Sequence, residues 1–173
     1  MTERVRGICI TPAGNLLTIK RVRSHMDPYW VLPGGHVEPG DGSLEAALLR
    51  ELAEELAGKA SVVALVHSLE IDGERQHFFL ARVETWDPAR RSGPEFSDAS
   101  RGQYIVEEIP LVRSRLAQIA LKPEPIARFL TEHGDRLFQL DDLRDGMISE
   151  SRLVVASEIA NPDAARRRPD RSA

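Results

Sequence analysis

One stretch of the chain constrains its fold more than any other: a glycine-rich segment that leads directly into an acidic helix. It runs from Gly34 to Gly58 as GGHVEPGDGSLEAALLRELAEELAG. Residues at i, i+3 and i+4 share one face of a helix, so Glu51, Glu54 and Glu55 are predicted to hold their carboxylates close together. Mg²⁺ takes oxygen ligands, usually a few carboxylates with waters and substrate phosphates. The segment therefore indicates a site for a divalent cation and a diphosphate.

Two runs of residues resemble motifs of the Nudix (MutT-like) hydrolases, whose signature is G-x5-E-x7-R-E-U-x-E-E-x-G-U with U a bulky aliphatic residue. Residues 50–56, RELAEEL, fit R-E-U-x-E-E-x, and residues 29–35, YWVLPGG, fit the aromatic-x-x-P-G-G motif common in the family. In its strict form the resemblance covers Gly35 to Gly58, and a looser one covers residues 4 to 130. The resemblance implies an α/β fold, the Nudix-type α/β/α sandwich with a mixed β-sheet.

The segment departs from the signature at two positions. The first glutamate of the signature falls on Gly42, and the nearest acid, Asp41, is one residue too far away, so the loop holds one extra residue. In the family that glutamate pairs with the arginine, which leaves the partner of Arg50 open, with Asp41 as the nearest replacement. The late glycine of the signature falls on Ala57, and Gly58 is expected to supply the left-handed residue that ends the helix.

The resemblance implies roles for individual residues around Mg²⁺ or Mn²⁺. Glu51 and Glu55 are the leading metal ligands, Glu54 lies beside them, and the backbone carbonyl of Gly35 is an additional ligand. The division of roles among the three glutamates stays open. Arg50 is expected to orient these carboxylates or to meet a phosphate with its planar guanidinium. The alternative for this arginine is a surface i,i+4 pair with Glu54.

A general base is still needed, and in many Nudix enzymes it comes from outside the helix. The run Gly93-Pro94-Glu95 resembles a G-P-E element whose glutamate reaches toward the metals, so Glu95 is the first candidate. Glu107 is the rival, because residues 104–111, YIVEEIPL, resemble the family's Y-x-x-E-W-V-P-L strand. If neither residue is the base, the role returns to the helix glutamates, with Glu54 the first to examine. A solvated acid is the ordinary alternative for each.

Residues that bind the rest of the substrate are harder to place. Arg23, Arg50 and Tyr29 are assigned to substrate binding. Several further residues could stack on a base or meet a phosphate, although strand aromatics are usually core and loop histidines are usually solvated: Trp30, Phe78, Phe79, Tyr104, His25 and His36.

Three functions remain after this reading. The first is a Mg²⁺-dependent hydrolase that cleaves the diphosphate linkage of a nucleoside diphosphate linked to another moiety, such as a modified nucleoside triphosphate, ADP-ribose or a dinucleotide. The second is a Nudix-fold nucleotide-binding or regulatory domain with weak or no hydrolysis, suggested by the missing first glutamate. The third is an interaction module in which the acidic helix is only a surface feature, and the intact R-E and E-E pairs argue against it.

Composition limits the other classes. The 173 residues suit one domain, predicted at 1–160, with 161–173 as a disordered tail rich in arginine. The formal net charge of −4 gives no general pull toward duplex nucleic acid or an anionic membrane. A single cysteine, Cys9, excludes an intramolecular disulfide and suits the cytoplasm. The sequence shows no signal peptide and no apolar run long enough to span a membrane. A homodimer is left open.

Outside the glycine-rich segment, alternating apolar runs predict strands and Gly, Pro, Asn and Asp mark the turns. The predicted strands are 5–11, 16–21, 30–32, 61–69, 76–83 and 103–109, with a hairpin turn at Asp72-Gly73. One helix is predicted to start at Ser43, and another to run from Glu124 to His133 and end at Gly134. Residues 85–101 are predicted to form a polar loop, and residues 140–155 a short pair of strands or helices.

Overall fold

A computed structural model describes residues 2–92 and 102–145. The chain divides into two units, Met1–Asp141 and Asp142–Ala173. The elements below all belong to the first unit. The predicted tail at 161–173, and all of the predicted 140–155 pair beyond Asp145, lie outside the described residues. None of the helices within the described ranges has the length and apolarity that a membrane crossing requires.

Within the described residues, the first unit contains seven strands and three helices. The strands are β1 (Thr2–Ile10), β2 (Leu16–Val22), β3 (Tyr29–Val31), β4 (Lys59–Ile71), β5 (Glu74–Thr85), β6 (Gln103–Ile109) and β7 (Leu121–Lys122). The helices are α1 (Leu44–Leu56), α2 (Arg113–Leu116) and α3 (Glu124–His133). Short 3-10 turns lie at Pro88–Arg90 and Gly134–Gln139. The predicted strands and both predicted helices are confirmed, whereas β7 and α2 are too short to carry a periodic signal.

The described strands form one seven-stranded mixed sheet in the order β4-β5-β1-β2-β3-β7, with β6 also paired to β2. β1 runs parallel to β5 and β3 runs parallel to β7, while the remaining pairs are antiparallel. β6 takes one edge of β2 over its whole length, so β1 and β3 share the other edge. β1 meets β2 only at Cys9 and Ile10, and the sheet therefore forks between β1 and β3.

Tight turns follow from glycine and proline chemistry. Asp72 and Gly73 both have positive φ, at 52° and 78°, as a two-residue hairpin turn of the primed type requires. The turn between β1 and β2 is closed by the Thr11 and Asn15 backbones, with Gly14 at a φ of 80°. The predicted hairpin at Asp72-Gly73 is confirmed, and β1 and β2 form a second hairpin.

Two apolar cores lie on opposite faces of the sheet. Along β5, Phe79, Ala81 and Val83 pack with α1, whereas Phe78 and Leu80 pack in the core that includes α3. Successive strand residues point to opposite faces, so this alternation places α1 and α3 on the two sides. Burying a side chain such as Phe78 stabilises the fold by about 1.5–3 kcal/mol. The α/β/α sandwich with a mixed sheet is confirmed.

The end of α1 differs from the prediction. Ala57, rather than Gly58, takes the left-handed conformation, with φ 44° and ψ 40°, and its N–H donates to the Ala53 carbonyl. The expectation for Gly58 was therefore wrong. Glycine is needed at 58 for a different reason, because a Cβ there would lie 2.5 Å from the carbonyl oxygen of Thr85. The close approach of β5 to the end of α1 therefore explains why residue 58 is glycine.

Ala57→Gly is expected to raise the free energy of unfolding by about 0.5–1 kcal/mol, since a left-handed alanine carries a steric penalty that glycine avoids. Gly58→Ala is expected to lower it by about 1–3 kcal/mol through the contact with Thr85. Urea unfolding of the two variants measures both changes. Two variants of equal stability would contradict the cap assignment.

A stack of three rings joins β4 to α3. The ring of His67 lies 4.5 Å from that of Phe129 at 19°, and His133 lies 4.8 Å from Phe129 on α3. Arg136 is 2.9 Å from His133 Nδ1, so this nitrogen accepts the hydrogen bond from the guanidinium. Burial lowers the pKa of His67, and the nearby His133 lowers it further.

The free energy of unfolding is expected to fall as the pH drops from about 8 to about 5. Since the folded state binds the His67 proton less tightly than the unfolded chain, this contribution is present above the ordinary histidine pKa and is lost below it. His67→Phe keeps a ring on Phe129 and should flatten the pH dependence. His25→Asn is the matched control, because His25 is exposed in a loop and asparagine tolerates its φ of 64°. Equal slopes in wild type and His67→Phe would contradict the assignment.

Candidate active site

The Pro-Gly-Gly turn is fixed to the backbone of β1. The Gly35 carbonyl accepts from Val5 N–H at 3.0 Å, and the Pro33 carbonyl accepts from Gly7 N–H at 2.8 Å. Gly34 has a φ of 130°, and a Cβ at this position would collide with the Val5 carbonyl. Only glycine meets both requirements, so the turn lies directly against β1.

The side chain of Arg6 also binds the backbone of this turn. Its Nη1 donates to the carbonyl oxygens of Gly34 at 2.5 Å and Leu32 at 3.3 Å. Burial lowers the pKa of Arg6, while Glu55 opposes the shift. The guanidinium thus places a positive charge next to the turn and within the field of the helix glutamates.

Helix α1 begins where the sequence predicts and presents its acids to this turn. Ser43 is the N-cap, and its hydroxyl accepts from Ala46 N–H at 3.0 Å. The apolar face, with Leu48 and Leu52, is buried in the sheet. That packing fixes the rotation of the helix, so that the face carrying the glutamates meets the glycines.

Two of the glutamates are held against the turn. Glu55 is 9% exposed, and its Oε2 accepts from Gly34 N–H at 2.7 Å. A Cβ added to Gly35 would fall on the carboxylate of Glu51, so that glycine leaves the room the carboxylate occupies. Both glycines therefore serve to bring carboxylates to the backbone.

Arg50 is the centre of the polar network, and Asp41 is its main partner. Arg50 Nε and Nη2 donate to the two oxygens of Asp41 at 3.0 and 2.9 Å, a bidentate pair. The hydrogen bond from Arg50, with one from the Glu38 backbone, lowers the pKa of Asp41 to about 2. The side chain of Asp41 is only 7% exposed. Asp41, which precedes the position where the signature has its first glutamate, thus pairs with Arg50.

The remaining hydrogen bonds of Arg50 join α1 to the residue that follows the Gly-Gly turn. Nη1 donates to Glu51 Oε1 at 3.0 Å and lies 3.5 Å from Glu54 Oε1, and Nη2 donates to the His36 carbonyl at 2.9 Å. Asp41 and Glu51 raise the pKa of Arg50. The i,i+4 contact with Glu54 is the longest of these hydrogen bonds, so a simple surface pair does not describe Arg50.

These residues line a cleft of about 500 Å³ at the fork between β1 and β3. One wall is the turn and α1, and the other is formed by β1, β2, β3 and β6. Both positive and negative side chains line it. The lining residues are Arg4, Arg6, Ile19, Arg21, Tyr29, Val31, Gly34, Gly35, His36, Glu38, Arg50, Glu51, Glu54, Glu55 and Tyr104.

The donor chemistry of the cleft fits a hard divalent cation. Within the described residues no three acidic, histidine or cysteine side chains are gathered as a ready-made metal group. Glu51 contacts Arg50, and Glu55 accepts from the Gly34 N–H. The donors that line the cleft are nevertheless carboxylate oxygens, and the space beside Gly35 is one that a Cβ would fill. Mg²⁺ and Mn²⁺ prefer such oxygen ligands.

The predicted substrate-binding residues divide between the cleft and the surface. Tyr29 and Arg50 line the cleft. Arg23 does not, because β2 ends at Val22 and Arg23 is exposed in the loop that follows. The cleft contains Arg21 instead, with its Cζ 3.4 Å from the centre of the Tyr104 ring.

The sequence reading missed three arginines of the cleft, Arg4, Arg6 and Arg21. The sequence contains a signal for Arg4 and Arg6, since these two charges flank the buried Val5 on a strand that continues with apolar residues. Such a pattern indicates a strand whose charged side faces a polar site.

Glu107 lies away from the cleft. It pairs in register with Thr18 on β2, and its Oε2 accepts from Trp30 Nε1 at 2.8 Å, with Lys20 Nζ 3.5 Å from Oε1. Thr18 and Lys20 alternate with Ile19 and Arg21, which line the cleft, so Glu107 is on the opposite face. The other candidate base, Glu95, lies outside the described residues.

Comparison with known proteins agrees with this geometry. A family model described as the NUDIX domain matches residues 1–124. No curated protein sequence matches the chain. The solution structure of the E. coli ORF135 protein is similar at 26% identity and a TM-score of 0.52, over 79% of this chain and 94% of that chain.

Two further solved structures share the fold at lower identity. An ADP-ribose pyrophosphatase from Streptococcus suis has 15% identity and a TM-score of 0.57, over 82% of this chain and 96% of that one. A Nudix hydrolase from Nitrosomonas europaea has 17% identity and a TM-score of 0.54, over 81% and 95%. Since the family model spans most of the chain, the protein belongs to the Nudix family of pyrophosphohydrolases.

Proposed function

We propose that the chain is a Mg²⁺- or Mn²⁺-dependent hydrolase that cleaves the diphosphate linkage of a nucleoside diphosphate linked to another moiety. Modified nucleoside triphosphates, ADP-ribose and dinucleotides are the compounds of this type. The observation that carries the proposal is the meeting of Glu51, Glu54 and Glu55 with the Gly34-Gly35 turn in one cleft.

The chemistry of the substrate explains why this arrangement is useful. A diphosphate carries adjacent negative charges that repel an incoming water, and a bound cation neutralises phosphoryl oxygens and lowers the pKa of a bound water. Glu51 and Glu55, with Glu54 and the Gly35 carbonyl, would hold that cation. The Gly35 carbonyl accepts one hydrogen bond from Val5, which leaves its second lone pair for this role.

Other groups of the protein orient the ligating carboxylates and hold the phosphoryl oxygens of the substrate. Arg50, fixed by Asp41, sets the position of the Glu51 carboxylate through the 3.0 Å contact. Gly34 N–H sets that of Glu55. Arg6 and Arg21 add positive charge to the cleft for phosphoryl oxygens.

Among the three helix glutamates of the cleft, we propose Glu54 for the general base. Its side chain is 36% exposed, and its contact with Arg50 is 3.5 Å long, so it is held less firmly than Glu51 or Glu55. A base must be able to reach the attacking water, which favours the less constrained carboxylate. Glu95 stays a prediction.

The pairing of Asp41 with Arg50 weighs against a binding domain without efficient hydrolysis. That alternative rested on the missing first glutamate of the signature. The bidentate contacts at 3.0 and 2.9 Å supply the arginine with a carboxylate partner from a neighbouring position. The hydrolase is therefore the function that the geometry favours.

Hydrolysis is expected to require the cation and to stop when EDTA is in excess, with recovery on adding Mg²⁺ or Mn²⁺. The test is a screen of nucleoside triphosphates, ADP-ribose and dinucleotides, with phosphate or nucleotide release as the measurement. Undiminished turnover after chelation would contradict the proposed metal site. Failure of every compound with either metal would favour the binding domain.

We also propose a cytoplasmic location, supported by the single cysteine, Cys9, which is fully buried as a free thiol. A homodimer stays a prediction, and light scattering on the purified chain would measure the oligomeric state.

A further inference from the structure

A three-residue network lies at the end of the cleft formed by the start of β1. Arg4 Nε donates to Glu74 Oε2 at 2.8 Å, and Glu74 is the first residue of β5. His36 Nε2 lies 3.5 Å from the other oxygen of Glu74. Arg4 and His36 also face each other as an isolated β-bridge. One carboxylate therefore holds two basic side chains, and both of these line the cleft.

Arg4 keeps donors for another group. Its only described hydrogen bond uses Nε, and in the part of the chain that the structure describes its Nη1 and Nη2 have no partner. The side chain is 24% exposed and lines the cleft. Paired terminal N–H groups of a guanidinium match the oxygens of a phosphate or carboxylate.

Glu74 acts through Arg4 rather than on a ligand. It does not line the cleft. Burial alone would raise the pKa of Glu74, but the hydrogen bond and charge of Arg4, with His36, outweigh it and lower the pKa. The residue is therefore a fixed anion at neutral pH and sets the direction of the arginine.

Arg4 and Arg6 lie at different distances from the helix glutamates. Residues two apart on a strand share one side and are separated by about 7 Å. Arg6 is committed to the turn and interacts with Glu55. The two phosphorus atoms of a diphosphate share one bridging oxygen and lie closer together than this. A diphosphate held beside Arg6 and Glu55 thus leaves Arg4 for the next anionic group.

We propose that Arg4, positioned by Glu74, binds an anionic group that extends beyond the cleaved diphosphate, so that the substrate class is nucleotides with three or more consecutive phosphates, nucleoside triphosphates among them. ADP-ribose, in which a sugar flanks the diphosphate on each side, lacks such a group. The inference rests on the proposed function and narrows its substrate.

Inorganic tripolyphosphate and pyrophosphate test this directly, because they carry the phosphate chain without a nucleoside. Calorimetry is expected to show that the wild-type chain with Mg²⁺ binds tripolyphosphate about tenfold more tightly than it binds pyrophosphate. Arg4→Gln should remove this difference and leave pyrophosphate affinity within about twofold, and Arg4→Lys should restore part of it. Arg75→Gln is the matched control, since the side chain of Arg75, among the described residues, makes an exposed contact with Glu70 across the β4-β5 hairpin and does not line the cleft.

Glu74→Gln separates positioning from folding. It should weaken tripolyphosphate binding about threefold to tenfold while pyrophosphate binding and the melting temperature stay unchanged. Equal wild-type affinity for the two probes, or an Arg4→Gln variant that keeps the preference, would overturn the inference. A chain that prefers tripolyphosphate but hydrolyses nothing would support the binding site and contradict the hydrolase. A chain that hydrolyses diphosphates without the preference would contradict only the site.

Discussion

Glu55→Gln and Glu51→Gln are each expected to keep the fold and to lower kcat by about 10²-fold or more. The amide oxygen of glutamine can still accept from Gly34 N–H at position 55 and from Arg50 at position 51, so the local hydrogen bonds survive. The charge needed to hold a cation does not survive. Steady-state turnover at saturating metal measures the loss, and circular dichroism verifies the fold.

Glu84→Gln is the control for those two variants. Glu84 is exposed on β5 and, in the described part of the chain, its side chain pairs with exposed Lys59, so its replacement should leave turnover unchanged. Wild-type turnover in both helix variants with metal in excess would show that these carboxylates do not carry the chemistry.

Asp41→Ala and Arg50→Ala are expected to lower kcat/KM by about 10- to 100-fold each, the usual effect of removing a group that orients ligands. Since the two side chains form one bidentate pair, the double variant should lose little more than either single variant. Asp27→Asn, in an exposed loop, is the control. Fully additive losses would mean that Asp41 and Arg50 do not share a role.

The same pair gives a pH dependence. The pKa of Asp41 is lowered to about 2, so its stabilising contribution is present above the ordinary carboxylate pKa and is lost as the pH falls toward 2. Asp41→Ala should therefore differ from wild type in stability at neutral pH and approach it in acid.

Local sequence signals predicted the elements of this site well. Helix α1, its Ser43 cap and the Gly34-Gly35 turn follow from capping chemistry, 3.6-residue periodicity and glycine. The partner of Arg50 was harder to predict from the sequence. The backbone of the loop places Asp41 against Arg50 although Asp41 is one residue away from the motif position, and a motif does not contain that backbone geometry. Ala57 shows the same limit, since the motif contains neither its left-handed conformation nor the close approach of Gly58 to Thr85.

Pairing across long sequence separations explains what sequence alone could not place. The register of β6 against β2 decides that Glu107 lies on the face away from the cleft, and a one-residue slip would reverse it. Arg4 meets Glu74 only because β1 runs parallel to β5. No local periodicity reports a contact across 70 residues.

The parallel pairing of β1 with β5 also bears on how the protein forms during synthesis. β1 is made first, yet its partner along Thr2–Ile10 is Glu74–Arg82. Chains grow from the N-terminus at about 5–20 residues per second, so β5 is synthesised several seconds after β1, and this edge of β1 is unpaired during that time. The Pro-Gly-Gly turn is bound to the same strand through Val5 and Gly7. An N-terminal deletion through residue 7 would therefore remove the backbone support of the cleft as well as a central strand.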